Sequence, residues 1–520
     1  MEIRTEILII GGGATGAGIA RDLSIRGVPC ILVEKGDLAS GASGRNQGLL
    51  HSGGRYAVSD PHTARECISE NRVLRAIAPH LIEETGGLFV SLPEDGLGFQ
   101  GEFLDGCRSA EIETSVLTPA EALEREPNLT PDLLGAIEVP DGVIDPFGLV
   151  LANVRDAEHH GARFFFHTEV FSVGLSRGWL GKVFAKDSVS GEEYSIVPSY
   201  VMNATGAWAN QFLRLAGIRT SLALSKGSML ITNRRLTRAV INRCRPASDG
   251  DIIAPNDTVS ILGTTSVGSQ DAADFDVTGE EVSQIIAETA KMVPEIAGAR
   301  FIRAYAGVRP LFRVATETGE ESDRGVSRGF ALIDHGARNE VSNLITVIGG
   351  KLVTYRLMAE KAVDLVCGKI GVATPCSTHL RTLPDLEEEP GPPGLMPHAH
   401  GQEYAFRGTV ICDCELVSRD QIEKQIGHKK MRAFTDVLHR TRLAKGTCQG
   451  GFCAYRLMAM LDEKHAVEGD SREVLEGFLE ERWKGIRPIL WGTAVKEAEL
   501  IETIYKDVLN FHTPGVEPGA

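Results

Sequence analysis

A glycine-rich turn near the start of the chain constrains the fold more than any other feature. The apolar run Ile7–Ile10 leads into Gly11-Gly12-Gly13-Ala14-Thr15-Gly16, and a second apolar run, Cys30–Val33, ends at Glu34. Glycines at these spacings permit a tight turn, let backbone amides approach a pyrophosphate, and allow a helix to pack closely on the preceding strand. The pattern predicts a βαβ unit that binds a dinucleotide, with the Glu34 carboxylate on the ribose hydroxyls.

Two further stretches bear on which dinucleotide is bound. Asn203-Ala204-Thr205-Gly206 closes a predicted strand, and such a small-residue turn favours FAD over NAD, a choice that the first motif leaves open. The stretch from Lys35 to Tyr56 is dense in small residues, so its backbone amides can close over a phosphate or a ring. A solvent-exposed loop can have the same composition, but Arg45, Arg55 and His51 favour a lined pocket.

Four of the ten cysteines form a separate pattern late in the chain. Cys412-x-Cys414 is followed after 33 residues by Cys448-x4-Cys453. Thiolates at short spacing on two loops can bind an iron–sulfur cluster or zinc. The Cys-x-Cys pair and the long gap are unusual for zinc fingers, so iron is favoured and zinc remains an alternative. The other six, which are interpreted as core or surface thiols, are Cys30, Cys67, Cys107, Cys244, Cys367 and Cys376.

Composition limits the class of protein. A chain of 520 residues is too long for a single core, so two to four domains are expected. A formal net charge of -16 argues against a nucleic-acid partner, which requires a basic face. We find no secretory signal and no apolar run near the roughly 18 residues of a membrane-spanning helix. The expectation is a cytoplasmic protein, with any membrane attachment peripheral.

Changes in composition and in secondary-structure pattern along the chain predict its domains. Mixed strand and helix patterns run through residues 1–382 and indicate a discontinuous α/β unit with an inserted sheet. Residues 383–405, rich in proline and glutamate, are a predicted linker, residues 406–465 a cysteine-rich module, and residues 466–520 a helical tail. Strands are expected at Ala136–Val139, Tyr200–Asn203, Ser260–Gly263 and Leu344–Ile348, and helices in Ser418–Ile426, in Arg432–Arg442 and from Asp470.

The motifs from Ile10 to Tyr56, together with Ala304–Leu311 and Ile348–Arg356, resemble the FAD-dependent glycerol-3-phosphate dehydrogenases. The four cysteines and Glu481–Gly485 make the chain similar to the catalytic subunits of the anaerobic branch of that family, over nearly its whole length. The resemblance implies an α/β fold of mixed α+β type. A glutathione-reductase-like, FAD-binding Rossmann domain carries an inserted antiparallel substrate-capping sheet, and a helical ferredoxin-like domain of the bacterioferritin-associated ferredoxin type follows.

The implied activity is oxidation of sn-glycerol 3-phosphate to dihydroxyacetone phosphate, with the hydride passing to FAD. Electrons would leave through a 2Fe-2S cluster and reach a second, flavin-bearing subunit, then a membrane-associated iron–sulfur subunit, and finally menaquinone, at the inner face of the cell membrane. The ligands implied for the cluster are Cys412, Cys414, Cys448 and Cys453. Two alternatives stay open: an amino or hydroxy acid dehydrogenase of the opine type, and a non-catalytic iron-handling protein.

A dianionic phosphate needs several cations in a protein that is otherwise acidic. Arg55, Arg309 and Lys351 are the candidates, and the resemblance gives the matching positions to the substrate pocket, with Tyr56 and Thr354 as secondary contacts. The expected contacts to FAD are Gly11, Gly13, Ala14, Thr15, Gly16, Glu34, Lys35, Ser43, Gly44, Asn46, Gln47, Gly48, Leu49, Ala204, Thr205, Gly206, Trp208, Gly307, Gly350 and Lys351.

The reaction also requires a group that accepts the hydroxyl proton of the substrate. His51 is the preferred base because imidazole titrates near neutral pH, although a purely structural histidine is an equal alternative. Lys351 is the second candidate, and Arg309 completes the expected catalytic set. Aerobic relatives have a histidine after Lys-Gly-Ser, where this chain has Met229, so no base is expected at that position.

Overall fold

The computed structural model of the protein describes residues 1–219, 222–312, 329–338, 340–385, 408–426, 431–509 and 511. Its strands are β1 (Glu2–Ile10), β2 (Cys30–Val33), β3 (Leu49–Leu50), β4 (Ile82–Glu83), β5 (Gly87–Ser91), β6 (Ser115–Leu117), β7 (Gly135–Val139), β8 (Gly142–Ile144), β9 (Arg163–Phe165), β10 (Thr168–Ser176), β11 (Trp179–Asp187), β12 (Glu193–Asn203), β13 (Leu222–Thr232), β14 (Val240–Arg243), β15 (Ile252–Asn256), β16 (Val259–Gly263), β17 (Val267–Ser269), β18 (Phe301–Phe312), β19 (Phe330–Asp334), β20 (Leu344–Gly349), β21 (Val410–Cys412) and β22 (Val417–Ser418). Its α-helices are α1 (Ala14–Ile25), α2 (Pro61–Ile77), α3 (Gly98–Ser109), α4 (Pro119–Arg125), α5 (Pro146–His159), α6 (Ala209–Leu215), α7 (Gly279–Met292), α8 (Tyr355–Ile370), α9 (Arg419–Ile426), α10 (Thr435–Thr441), α11 (Cys453–Glu463), α12 (Ser471–Ile486) and α13 (Thr493–Thr503).

The first sheet has a parallel centre. Strand β1 lies between β2 and β12, with β9 beyond β2 and β20 beyond β12, and these five strands run parallel. Strands β10, β11 and β19 add antiparallel pairs at its margins. Ile7 and Ile9 pack in one core with α1 and α8, whereas Leu8 and Ile10 pack in another core on the opposite face. Burial on both faces explains the unbroken apolar run that the sequence shows here.

The second sheet is mostly antiparallel. Its order is β17-β13-β16-β15-β14-β5-β7-β6, and β18 pairs with β13. Helix α7 packs on it through Val282 and Ile285, which share a core with Leu230 and Leu262. The chain passes between the two sheets repeatedly, since β5–β7 and β13–β18 belong to the second sheet and β9–β12 and β19–β20 return to the first. This is the predicted interleaving of a dinucleotide-binding sheet with a capping sheet.

The cysteine unit, which we define as residues 408–426 and 431–463, contains the hairpin β21–β22 and helices α9, α10 and α11. Its core includes Leu457 and Leu461 of α11, and it is completed by Leu475 of α12 and Ile501 of α13. The C-terminal helices therefore pack as part of the same body as the cysteine unit.

All four predicted strands are confirmed, and so is the helix that begins after Asp470, whose carboxylate accepts the backbone amide of Arg472. Helix α10 begins three residues later than the predicted start, because the Asp436 carboxylate binds the amides of Arg432 and Ala433 outside the helix. Residues 386–405 of the predicted linker and residues 512–520 of the tail lie outside the described residues. Within the described residues, no helix has the length and apolarity needed to cross a bilayer.

Candidate active site and candidate metal centre

A cavity of about 1020 Å³ opens at the carboxyl ends of the parallel strands. Its wall includes Gly11 after β1, Glu34 after β2, Ala204 after β12 and Gly350 after β20. Ligands of α/β folds bind at this edge of the sheet, where the loops that leave the strands diverge. We refer to this space as the central cavity.

The predicted glycine turn has the geometry of a pyrophosphate site. Gly11 has φ +110°, and a Cβ there would lie 2.5 Å from the carbonyl oxygen of Ala204. A Cβ on Gly16 would lie 1.9 Å from the carbonyl oxygen of Gly11, so glycine is what lets α1 begin so close to β1. Residues lining the cavity at this turn are Gly11, Gly13, Ala14 and Thr15. Amides at a helix N-terminus favour an anion, so the turn fits a dinucleotide pyrophosphate.

Glu34 lies on the cavity wall at the end of β2, as predicted. Its Oε2 accepts the amide of Gly12 at 2.6 Å, and its Oε1 accepts the amide of Gly36 at 2.8 Å. The carboxylate is therefore held in one orientation by two loops. Each oxygen of an ionised carboxylate offers two lone-pair sites, so acceptor capacity is left for ribose hydroxyls.

The loop after Glu34 folds against the same cavity. The Asn46 side chain organises it, donating to the Ser43 carbonyl at 2.6 Å and accepting the Gly48 amide at 2.7 Å. Gln47 lines the cavity, and its Nε2 is buried with no hydrogen-bond partner among the residues that the structure describes. An unsatisfied buried donor in a cavity wall indicates a group that a ligand completes. The loop residues on the wall include Lys35, Ser43, Asn46, Gln47 and Leu49.

A second turn, after β12, supplies another part of the wall. Its lining residues are Ala204, Thr205, Gly206 and Trp208. The Thr205 hydroxyl donates to Asn203 Oδ1 at 2.7 Å, which fixes the turn to the strand end. The Lys35 ammonium lies 4.2 Å from the centroid of a Trp208 ring, so the two predicted FAD segments contact each other.

Four glycines predicted to contact the cofactor lie behind the wall: Gly16, Gly44, Gly48 and Gly307. A Cβ on Gly44 would lie 2.3 Å from the Ala39 carbonyl oxygen, and one on Gly307 would lie 2.3 Å from the Arg45 carbonyl oxygen. Their missing side chains therefore allow backbone segments to approach one another, and their contact with the cofactor stays a prediction.

The three cationic residues predicted for substrate binding all line the central cavity. Arg55, Arg309 and Lys351 all line it, together with His51 and Tyr56. Arg309 donates to the carbonyl oxygens of Thr265 at 2.6 Å and Lys226 at 3.3 Å, which holds its guanidinium in place. The Lys351 ammonium lies 4.3 Å from the centroid of the Tyr56 ring. This arrangement concentrates positive charge beside the dinucleotide turns.

His51 is buried in the wall of the central cavity, and its Nδ1 has no hydrogen-bond partner within the described ranges of the chain. Burial, with smaller effects from Lys351 and Arg55, lowers the pKa of His51 to about 3. The imidazole is therefore neutral at physiological pH. An unsatisfied buried nitrogen in a cavity wall is compatible with a ligand contact, and the role of His51 as the base stays a prediction.

Thr354, whose contact with the substrate stays a prediction, is not among the lining residues of the central cavity. Its hydroxyl accepts the Lys351 amide at 3.1 Å and donates to the Lys351 carbonyl at 3.2 Å, and the residue is buried behind the wall. Met229 lies in β13 and is also buried away from the wall. Sequence reasoning missed Thr264 on the cavity wall, although its position directly after the predicted strand that ends at Gly263 was a usable signal.

The four late cysteines converge. Cys412 ends β21, Cys414 follows in the turn, Cys448 lies in the loop before α11, and Cys453 is the first residue of α11. Their side chains are hydrogen-bonded in series: Cys412 with Cys453, Cys453 with Cys448, and Cys448 with Cys414. The hydrogen bond from Cys453 lowers the pKa of Cys412 to about 7. Cys414 is exposed and the other three cysteines are buried.

The spread of the four sulfurs can be compared with the two kinds of metal centre that the spacing allowed. A tetrahedral zinc ion holds sulfurs at about 2.3 Å and therefore within about 4 Å of one another. Among Cys412, Cys414, Cys448 and Cys453, no three sulfurs all lie within 4.8 Å of one another. A two-iron cluster is compatible with that wider arrangement, because its four thiolates are divided between two irons.

A second group of possible metal ligands lies outside both sites. Glu360, Cys376 and His379 have ligand atoms within 4.8 Å of one another. The Arg356 guanidinium donates to Glu360 at 2.6 Å and lies 4.0 Å from the Cys376 sulfur. A fixed cation already interacts with this group, which makes it a poor metal site.

Two families match the chain. The FAD dependent oxidoreductase family matches residues 6–351, and the BFD-like 2Fe-2S binding domain matches residues 410–463. The matches agree with the glycine turn at the start of the first region and with the four cysteines in the second.

Curated relatives extend over nearly the full chain. The A subunit of the anaerobic glycerol-3-phosphate dehydrogenase of Escherichia coli K12 is 42% identical, with 96% of each chain covered. The A subunit of the Haemophilus influenzae enzyme is 40% identical, covering 98% of this chain and 94% of the relative, and the A1 subunit of the Haloferax volcanii enzyme is 41% identical, covering 98% and 91%.

Among solved structures, glycerol-3-phosphate dehydrogenase from Bacillus halodurans complexed with FAD superposes with a TM-score of 0.66 at 21% identity, covering 94% of this chain and 96% of that one. Glycine oxidase from Geobacillus kaustophilus superposes with a TM-score of 0.58 at 23% identity, covering 73% of this chain and 98% of that one. These likenesses confirm the predicted fold of the oxidoreductase region.

Proposed function

The chain belongs to the FAD dependent oxidoreductase family and, within it, to the anaerobic glycerol-3-phosphate dehydrogenase A subunits, and from that membership we propose that it oxidises sn-glycerol 3-phosphate to dihydroxyacetone phosphate. One observation carries the proposal: three cations and a neutral histidine line the same cavity as the dinucleotide turns. An anionic alcohol bound by these cations would lie beside the cofactor that oxidises it.

Arg55, Arg309 and Lys351 have the chemistry to bind the phosphate of the substrate. Guanidinium groups match phosphate oxygens with paired hydrogen bonds, and an ammonium adds a point charge. Backbone carbonyls already hold the Arg309 guanidinium in place in the absence of substrate. Substrate binding therefore costs little conformational freedom of this side chain. The phosphate would therefore fix the position of the carbon that is oxidised.

His51 is proposed to accept the proton of the substrate hydroxyl. Because burial keeps the imidazole neutral, one of its ring nitrogens has a lone pair available, and Nδ1 has no competing partner among the described residues. Lys351, the alternative base, lies over the Tyr56 ring, with its side-chain nitrogen in a cation–π contact. The geometry therefore supports His51 as the base and Lys351 as a cation.

The chain carries an FAD-binding region and a 2Fe-2S-binding region. Bound FAD supplies a hydride acceptor, and a bound 2Fe-2S cluster supplies a one-electron carrier. The residues proposed to hold FAD are those of the glycine turn, Glu34, the loop from Lys35 to Leu49 and the turn from Ala204 to Trp208. Those proposed to hold the cluster are Cys412, Cys414, Cys448 and Cys453.

The proposal extends to the electron acceptors. We infer that electrons pass to a partner flavin subunit, then to a membrane-associated iron–sulfur subunit, and finally to menaquinone, at the inner face of the cell membrane. The curated relatives are themselves named as single subunits of a dehydrogenase, which supports an assembly of several chains. The exposure of Cys414 supports it too, since an electron can leave at that edge of the cysteine unit.

An anaerobic titration of the flavin absorbance tests the substrate. Glycerol 3-phosphate should bleach the bound flavin, whereas glycerol, which lacks the phosphate, should not bleach it at the same concentrations. Bleaching by an amino or hydroxy acid but not by glycerol 3-phosphate would favour the opine-type alternative. A flavin that no substrate bleaches would favour the iron-handling alternative.

A cysteine variant separates oxidation of the substrate from the relay. Cys448→Ser should leave bleaching by glycerol 3-phosphate intact and abolish electron transfer to the physiological acceptor, because the flavin and cluster sites are separate. Loss of bleaching in this variant would count against a pure relay role for the cysteine unit. Cys376→Ser is a matched control, since that thiol belongs to neither site.

A further inference from the structure

Strand β18 connects the central cavity to the cysteine unit. Arg309 lines the cavity, and the Tyr305 hydroxyl donates at 2.8 Å to the carbonyl oxygen of Asn46, another cavity residue. Arg303 follows on the same face of the strand, because side chains two residues apart point the same way. Its Nη1 donates to Gln449 Oε1 at 3.4 Å, directly beside Cys448 in the chain.

The buried Gln449 side chain forms hydrogen bonds that hold the loop carrying Cys448 in place. Its Nε2 donates to the carbonyl oxygens of Lys445 at 3.0 Å and Gly446 at 2.9 Å, while its Oε1 accepts from Arg303. The side chain thus fixes the cysteine loop from inside and joins it to β18. One amide group links the strand of the oxidoreductase region to the metal centre.

Arg482 contacts the same loop from α12. It is buried, and it donates from Nε to the Gln449 carbonyl at 3.1 Å and from Nη2 to the Cys448 carbonyl at 3.4 Å. Within the described part of the chain, neither Arg303 nor Arg482 has a carboxylate within 4.0 Å. The carboxylate that acts on Arg303 is that of Glu481, which is half-exposed and bonded to Lys484 at 2.7 Å.

We propose that Arg303 and Arg482 are positioning residues that raise the reduction potential of the cluster held by the four cysteines. The proposal rests on the proposed function, which supplies the electron from flavin reduced by the substrate. Adding one electron to a thiolate-bound cluster adds one negative charge, and nearby cations stabilise that charge. Two guanidinium groups without close carboxylates therefore favour the reduced state on the side that faces the central cavity.

The test is an anaerobic potentiometric titration of the holoenzyme with dithionite and mediators. The electron paramagnetic resonance signal of the reduced cluster is followed together with the flavin absorbance. Arg482→Met should lower the cluster midpoint so that the equilibrium for its reduction falls about tenfold, or about 59 mV for one electron. Arg303→Met should act in the same direction, and Arg482→Lys should retain most of the wild-type potential.

Two further variants exclude a purely structural effect. Glu481→Gln removes the opposing charge and should shift the midpoint upward, opposite to Arg482→Met. Arg487→Met, at an exposed arginine after α12, should leave the midpoint unchanged. The flavin midpoint serves as an internal reference in every sample.

Unchanged midpoints in both Arg303→Met and Arg482→Met, with full iron content, would overturn the proposal. So would a downward shift in Glu481→Gln. If Arg482→Met does not assemble the cluster, Arg303→Met and Glu481→Gln carry the test, because neither side chain contacts the cysteine loop backbone. No substrate is added, so a wrong substrate assignment leaves these outcomes intact.

Discussion

The Asp37 carboxylate accepts hydrogen bonds from both terminal nitrogens of Arg440, at 2.8 Å and 2.9 Å. Asp37 lies three residues after Glu34, in the loop that borders the central cavity, and Arg440 lies on α10 between the two cysteine pairs. His439 adds a third contact to the same carboxylate at 3.2 Å. The cysteine unit is thus fastened to the loop that follows the predicted ribose-binding residue.

Replacing Asp37 should loosen this junction. Burial alone would raise the pKa of Asp37. Hydrogen bonds from His439 and Arg440 outweigh this effect and hold the pKa well below its usual range. Its stabilising effect is present above the unfolded pKa and is lost only as pH falls through the lowered folded value. Asp37→Asn should cost about 3 kcal/mol in local opening at neutral pH, since it leaves Arg440 buried without its partner. Hydrogen exchange of the α10 amides measures this.

The matched control for Asp37→Asn is Asp105→Asn, which removes an exposed ion pair with Arg108. Exposed pairs contribute about 0.5 kcal/mol or less, so exchange in α3 should barely change. Equal exchange of α10 in wild type and Asp37→Asn would show that this ion pair does not hold the cysteine unit.

A second contact between the cysteine unit and the rest of the protein, the His167–Asp436 pair, should weaken as pH rises. His167 Nε2 lies 2.9 Å from Asp436 Oδ1, and the Asp436 carboxylate, against the opposing effect of burial, raises the pKa of His167. A raised histidine pKa stabilises the fold below the unfolded value, about 6.5, and this stabilisation is lost as pH rises through the folded value. Protection of residues 432–441 against hydrogen exchange, corrected for intrinsic rates, should therefore fall from pH 6 to 9.

His167→Gln should remove this pH dependence and cost about 1 kcal/mol at pH 6, where the charged hydrogen bond is intact. His439 does not mimic the effect, because burial shifts its pKa in the opposite direction, downward. His62→Gln, at an exposed histidine of α2, is the control. A pH profile in His167→Gln that matches wild type would assign the dependence to other groups.

Local features of the site were predictable from the sequence because their residues are close in the chain or follow strands. The glycine turn, Glu34 and the Ala204–Gly206 turn all lie at the ends of predicted strands, so the sheet edge brings them together. The cations Arg55, Arg309 and Lys351 came from the resemblance, and the structure brings them to the same cavity.

Other features depend on contacts that no local pattern records. Asp37 and Arg440 are 403 positions apart, and neither belongs to a motif that predicts the other. The Thr354 hydroxyl bonds to the Lys351 backbone in the turn that starts α8, a contact that the sequence pattern does not show. The missing side chain of Gly307 makes room for the Arg45 backbone, which is far away in the chain.

A pair of glycine substitutions tests the close approach at the dinucleotide turn. In Gly16→Ala the new methyl would lie 1.9 Å from the Gly11 carbonyl oxygen, so the turn must move. We expect a loss of about 3 kcal/mol in stability from overpacking, together with weaker FAD binding. Gly368→Ala, on open surface in α8, should instead stabilise by up to about 1 kcal/mol. Thermal unfolding and flavin content measure both, and normal flavin content in Gly16→Ala would contradict the predicted geometry.

His51→Gln tests the proposed base. Glutamine keeps a polar side chain but cannot take the hydroxyl proton, so flavin reduction by glycerol 3-phosphate should slow by about 100-fold or more, measured by anaerobic stopped flow. FAD affinity and substrate binding should change little. Because burial, Lys351 and Arg55 lower the pKa of His51 to about 3, its protonation should not reduce kcat/KM at pH 5 or above. Tyr56→Phe, which keeps the ring beside Lys351, is the control. Flavin reduction within about threefold of wild type in His51→Gln would require the proton to leave by another group.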